Sequence, residues 1–119
     1  MRALPRETGA AAEALALAHL TDHGLALRAR NFHIRRGEID LIMADGDEIV
    51  FVEVRARRRG DFGDGIDSIT PAKRRRLLAA ARAWLQRQPH EPPSRFDVVA
   101  LQPGTDQIIW LRDAFRADD

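Results

Sequence analysis

The chain contains no cysteine. That excludes disulfides and zinc–thiolate centres, and it fits a reducing compartment, so a cytoplasmic setting is expected. Long apolar runs are missing too. The most apolar stretch, Ala10 to Leu20, is broken by Glu13 and His19 and falls short of the roughly 18 residues needed to span a bilayer, so no membrane partner is expected. Met1 to Gly9 carries both charge signs and no apolar centre, unlike a signal peptide. The histidines, at 19, 23, 33 and 90, have no zinc-like spacing with a third ligand and read as structural or surface groups. Net charge is only +1, so the chain is not a general polycation.

What is present is an ordinary globular composition, 45% hydrophobic and 31% charged over 119 residues. This length predicts one domain that buries roughly two-thirds of its unfolded surface, with a loose tail after about residue 115. The arginines are clustered rather than scattered. One group holds Arg28, Arg30, Arg35 and Arg36, a second Arg55, Arg57, Arg58 and Arg59, and a third Lys73, Arg74, Arg75 and Arg76. Local basic faces can bind phosphates on a nearly neutral protein. A solvated arginine-rich surface is the competing reading.

Patterning predicts the order α-β-β-β-α-β-β. A helix from about Arg6 to His23 is closed by Gly24, and a strand runs from Leu25 to His33. Arg35-Arg36-Gly37 turns into a hairpin, and Arg58 to Ser68 is a glycine-bearing loop. Thr70-Pro71 opens a second helix that ends near Gln88, with Leu77, Leu78, Ala81, Trp84 and Leu85 as its core stripe. Strands at Arg95 to Leu101 and Gln107 to Arg112 flank a turn at Pro103 to Asp106. The second helix is a crossover. Trp84 and Trp110 fall at core-facing positions, and Asp97 is a candidate partner for an arginine at the core edge.

The hairpin carries the chemistry. Ile39, Leu41 and Met43 alternate with Glu38, Asp40 and Ile42, and Val50, Val52 and Val54 alternate with Ile49, Phe51, Glu53 and Arg55. With Gly46-Asp47 as a two-residue loop, Asp45 pairs with Glu48 and, counting outward, Asp40 pairs with Glu53. Their Cβ atoms would then be about 4.5–5.5 Å apart. Two carboxylates so placed repel. Either one takes up a proton or a cation sits between them, and hard oxygen donors on rigid strands suit Mg²⁺ or Mn²⁺. A one-residue slip would part them. The alternative is two solvated acids paired with nearby arginines.

The element order, with acid, acid and a cation two residues beyond the second acid, resembles the restriction-endonuclease-like nuclease superfamily, whose motif is written PD-(D/E)xK. More closely, the chain resembles the uncharacterised bacterial YraN family. The resemblance rests on Glu13, Asn31, Gly37-Glu38-Ile39-Asp40-Leu41-Ile42, Phe51-Val52-Glu53-Val54, Pro71 with Lys73, and Arg95-Phe96-Asp97-Val98-Val99-Ala100, and spans about Arg6 to Phe115. Archaeal Holliday-junction resolvases are similar in architecture. The resemblance implies an α/β fold with a restriction-endonuclease-like core and a mixed sheet flanked by helices. It implies catalytic roles for Glu13, Asp40, Glu53 and Arg55, with Asp40, Glu53 and the Val54 carbonyl as metal ligands. Mg or Mn is then the expected cofactor, nucleic acid (DNA above all) the expected partner, and a homodimer the expected assembly, although no self-complementary apolar stripe is visible.

Arg55 departs from the superfamily's lysine. Arginine can clamp a phosphate bidentately but cannot serve as a base. Lys73 could replace the missing lysine, but contact with solvent or a nucleic-acid backbone is the favoured expectation. Candidate nucleic-acid contacts are Arg35, Arg36, Arg57, Arg58, Lys73 and Arg74. The functional expectation is a metal-dependent nuclease acting on structured or branched DNA. The alternatives are a nucleic-acid-binding module without catalysis and a protein-interaction domain using the Gly63 to Ile69 loop.

Overall fold

Two apolar, alternating segments joined by Gly46-Asp47 make the centre of the protein. The computed structural model describes residues 5–56, 69–102 and 107–116. Strand β1 is Ala26–Ile34, β2 Gly37–Asp45 and β3 Glu48–Ala56. In the hairpin, Asp45 lies opposite Glu48 and Leu41 opposite Val52, the register predicted above. Gly46 has a φ of 61°, the left-handed value required at the first central position of a tight hairpin turn and free of steric cost only in glycine.

Helix α1 (Pro5–Asp22) precedes the strands, and α2 (Pro71–Gln86) follows them. The α2 start is built as the sequence predicts. Thr70 Oγ1 accepts the Lys73 N–H at 3.1 Å, and Pro71 occupies the first turn, where its missing N–H costs nothing. Strands β4 (Ser94–Leu101) and β5 (Ile108–Phe115) complete a five-stranded sheet in the order β1-β2-β3-β4-β5. β4 runs parallel to β3, so α2 is the crossover, and the other pairings are antiparallel.

The sheet is covered on both faces. Ala12, Ala16 and Leu20 of α1 pack on Leu41, Met43, Val50, Val52 and Val99. On the other face, Leu77, Ala80, Ala81 and Trp84 of α2 pack on Ile42, Phe51, Phe96 and Val98. The fold is therefore α/β, with a mixed sheet between two helices. No helix among the described residues is long and apolar enough to cross a membrane.

Two expectations need correction. Ile39 does not share a face with Leu41 and Met43, but joins Ile42 beneath α2. The alternation slips at Asp40. Between the observed pairs Arg30–Leu41 and Phe32–Ile39, the residue across from Asp40 is Asn31, whose φ is 52°. One left-handed residue rotates the ladder locally, and asparagine tolerates that conformation better than most. The last strand also runs three residues past Arg112. It does so through a break at Asp113 (φ 53°), after which Phe115 pairs with Phe96 and is buried.

Asp97 explains that break. Its buried carboxylate accepts from Trp110 Nε1 and from the Asp113 N–H, both at 2.9 Å, and from Arg95 Nε at 3.0 Å. Arg95 Nη1 continues to Asp45 (3.0 Å) and Glu48 (2.7 Å). One arginine thus ties the hairpin turn to β4 and, through Asp97, to β5. Trp110 is half-buried and packs against the core beneath α1, as its position implies, with His19 and His23 against its ring. Arg57, Arg58, the loop from 58 to 68, the turn at 103–106 and the tail 117–119 lie outside the described residues. Ile69, the one described residue of the proposed interaction loop, is buried against α2, so it offers no exposed anchor.

Candidate metal and phosphate site

Beyond Leu41–Val52 the hairpin ladder is replaced by a side-chain contact. Val54 N–H donates to Asp40 Oδ2 at 2.8 Å. The Asp40 carboxylate is thereby pinned against β3, next to Glu53. In an extended strand the N–H and C=O of one residue face the same neighbour, so the Val54 carbonyl is turned toward β2 as well. Glu53 is only 8% exposed, and its Oε1 receives Lys73 Nζ at 2.8 Å.

The two acids are therefore in different electrostatic situations. Glu53 has an ammonium against it, whereas Asp40 has only an amide. Burial pushes the Asp40 carboxyl up to about 7, with the Glu53 charge as the next cause and Glu13 and Glu38 adding to it, while the Val54 hydrogen bond opposes the rise. The residue that repels is the one a cation would relieve.

Asp40, Glu53 and Lys73 share an open cavity of about 570 Å³ with Arg35, Arg36 and Arg76. Among the described residues no group of three or more acidic or histidine side chains is gathered closely enough to enclose a metal. The available donors are the Asp40 and Glu53 oxygens not already hydrogen-bonded, together with the Val54 carbonyl. That set does not suit an ion needing an all-protein cage. It does suit Mg²⁺ or Mn²⁺, which bind through one or two carboxylates and complete their shells with water and substrate phosphate.

The other sequence candidates fall as follows. Glu13, on α1, is half-buried and near enough to act on Asp40 electrostatically. Arg55 is half-buried, does not line the cavity, and makes no ion pair among the described residues. It stands two residues, roughly 6.6 Å, further along β3 than Glu53. The expectation for Lys73 is corrected, because its ammonium touches a site carboxylate from the first turn of α2. Arg74 turns its guanidinium over the Phe115 ring, 5.5 Å from the centroid. Arg35 and Arg36 line the cavity, as do three titratable or charged residues that the sequence does not place there, His33, Glu38 and Arg76. Arg76 was legible in principle, since it follows Lys73 by three positions and shares its helix face. His33 carried no comparable signal.

Comparison with known proteins agrees with the span of this architecture. The model of the uncharacterised protein family UPF0102 matches residues 12–101, from α1 to the end of β4. A UPF0102 protein of Nitrosococcus oceani is 56% identical over 117 residues, covering 95% of this chain and 94% of its own. One of Pseudomonas fluorescens is 48% identical over 111 residues, with 92% of each chain covered. One of Halorhodospira halophila is 52% identical over 114 residues, covering 96% of this chain and 91% of its own.

Proposed function

The chain belongs to the uncharacterised protein family UPF0102, and from that premise we propose that it is a Mg²⁺- or Mn²⁺-dependent nuclease of the restriction-endonuclease-like superfamily, hydrolysing phosphodiester bonds of structured or branched DNA. One observation carries the reading. Asp40 and Glu53 stand together on paired strands, and Lys73 makes an ion pair with Glu53 inside a cavity lined by arginines.

Hydrolysis joins a water oxygen to phosphorus and breaks the bond to the leaving oxygen, which takes up a proton. Asp40, Glu53 and the Val54 carbonyl would hold the metal. Bound there, it would supply Lewis-acid polarisation of the phosphoryl group and lower the pKa of water. Lys73 places a cation beside the reacting phosphate, where negative charge grows in the transition state. Glu13 adds negative charge near Asp40 and so favours cation binding. Arg55 is left with a supporting electrostatic role. Cytoplasmic location and homodimeric assembly belong to the same proposal.

A second reading has its own support. Lys73 already engages Glu53 Oε1, and an arginine stands where the superfamily has its strand lysine. Both would suit a nucleic-acid-binding module that has lost catalysis. Incubating the purified protein with Mn²⁺ and labelled junction, flap and single-stranded DNA separates the two. Cleavage that Asp40→Ala abolishes supports the nuclease. Metal-independent binding with every substrate left intact supports the module.

A further inference from the structure

The arginines of this protein divide by what surrounds them. Arg95 is held by Asp45, Glu48 and Asp97, and Arg116 by Asp113. Arg28, Arg74, Arg87 and Arg112 lie over aromatic rings. Arg35, Arg36 and Arg76 make no ion pair and face no ring among the described residues, yet they line one cavity, beside the acids Glu38, Asp40 and Glu53. Like charges brought together repel. Something other than their own interaction must hold them there, and something anionic would relieve them.

The backbone holds them. Gly37 closes the turn between β1 and β2, and a Cβ at this position would collide with the Arg76 carbonyl of α2. Only a residue without a side chain lets the two main chains approach so closely. The turn bearing Arg35 and Arg36 is thus docked on the helix at the residue that carries the third guanidinium. Arg76 in turn lies three positions after Lys73, so the ammonium and the guanidinium share one face of α2 and line the same cavity.

The geometry points to a phosphodiester-binding jaw, Arg35 and Arg36 on the turn and Arg76 on α2, that grips a nucleic-acid strand at a phosphate adjoining the one Lys73 would face. The planar fork of arginine matches two phosphate oxygens at once. The jaw rests on the nuclease reading only for the identity of that neighbouring phosphate.

The test is fluorescence anisotropy with a labelled single-stranded DNA oligonucleotide and the full chain in EDTA, across a salt titration. Arg76→Ala is expected to flatten the plot of log affinity against log salt by about one contact, and Arg76→Lys to keep the wild-type slope. Arg82→Ala, on the exposed side of α2 away from this cavity, is expected to change nothing. Gly37→Ala is expected to repeat the Arg76→Ala result, and the Arg76 variants decide the matter if that chain does not fold. A wild-type slope in Arg76→Ala overturns the jaw, as does an equal loss in Arg82→Ala. Binding of inorganic phosphate without binding of the oligonucleotide overturns it too. The outcomes also separate the two proposals. Without Mn²⁺ binding or cleavage but with a flattened slope in Arg76→Ala, the nuclease reading falls and the jaw stands. With cleavage and an unchanged slope, the jaw alone falls.

Discussion

Lys73 Nζ lies 2.8 Å from Glu53 Oε1, and this contact joins the first turn of α2 to the strand that carries the second site acid. It supplies the cation that β3 does not bring to the cavity. If Lys73 stabilises the transition state, Lys73→Ala lowers the cleavage rate by about 10²-fold, the usual effect of losing one preorganised donor. Arg55→Ala then costs less than Lys73→Ala. Single-turnover cleavage with Mn²⁺ at saturating enzyme measures both, and the reverse order would return Arg55 to the role the motif implies.

The cap of α2 sets the position of that lysine. Thr70 Oγ1 accepts the Lys73 N–H itself, so Thr70→Ala removes about 1 kcal/mol of stability and loosens the turn that aims the ammonium. Denaturant melts are expected to show the modest loss, and cleavage a larger proportional one. Equal effects on both would mean that the cap acts on stability alone.

Asp40 gives the metal-free protein a pH signature. Its carboxyl stays protonated to about 7 in the fold, because burial and then Glu53 oppose its charge, against 3.8 for an ordinary aspartate. The folded chain holds this proton over a range in which the unfolded chain has lost it. The stability it contributes is complete below the ordinary value and fades as pH rises through 7. Asp40→Asn, which carries no charge to bury, gains on the wild type as pH rises from about 5 to about 8.5. Thermal melts in EDTA at the two pH values check the sign. A gap that stays constant or closes would show that the Asp40 charge is not strained.

Asp97 makes a prediction at the other end of the sheet. It is 1% exposed and accepts from Arg95, Trp110 and the Asp113 amide. Asp97→Ala leaves these donors without their acceptor and destabilises by about 3 kcal/mol, as for a broken buried pair. Hydrogen exchange is expected to rise first at the Asp113 amide. Uniform exchange across β5 would mean that the network does not anchor the strand end.

Much of the fold was legible because local signals agreed. Alternation in β2 and β3, the Gly46-Asp47 loop and the Thr70-Pro71 start each specify an element by themselves, and counting outward from the loop gives the observed pairing as far as Leu41 and Val52, one step short of Asp40 and Glu53. What failed depends on how elements dock. No spacing reveals that α2 presents Lys73 to a carboxylate twenty positions earlier, or that Gly37 meets the backbone at Arg76. The face of Ile39 is not legible because asparagine permits a left-handed backbone at position 31 without requiring one. The last three residues of β5 are not legible because no local pattern shows that the buried Asp97 holds the Asp113 amide.

The central claim is that Asp40 and Glu53 form a cation site. Calorimetric titration of the protein with Mn²⁺, wild type beside Asp40→Asn, tests it before any substrate is chosen. The account predicts one saturable site in the wild type and at least a tenfold loss of affinity, about 1.4 kcal/mol, in the variant. Equal binding by the two, or none by either, would contradict it.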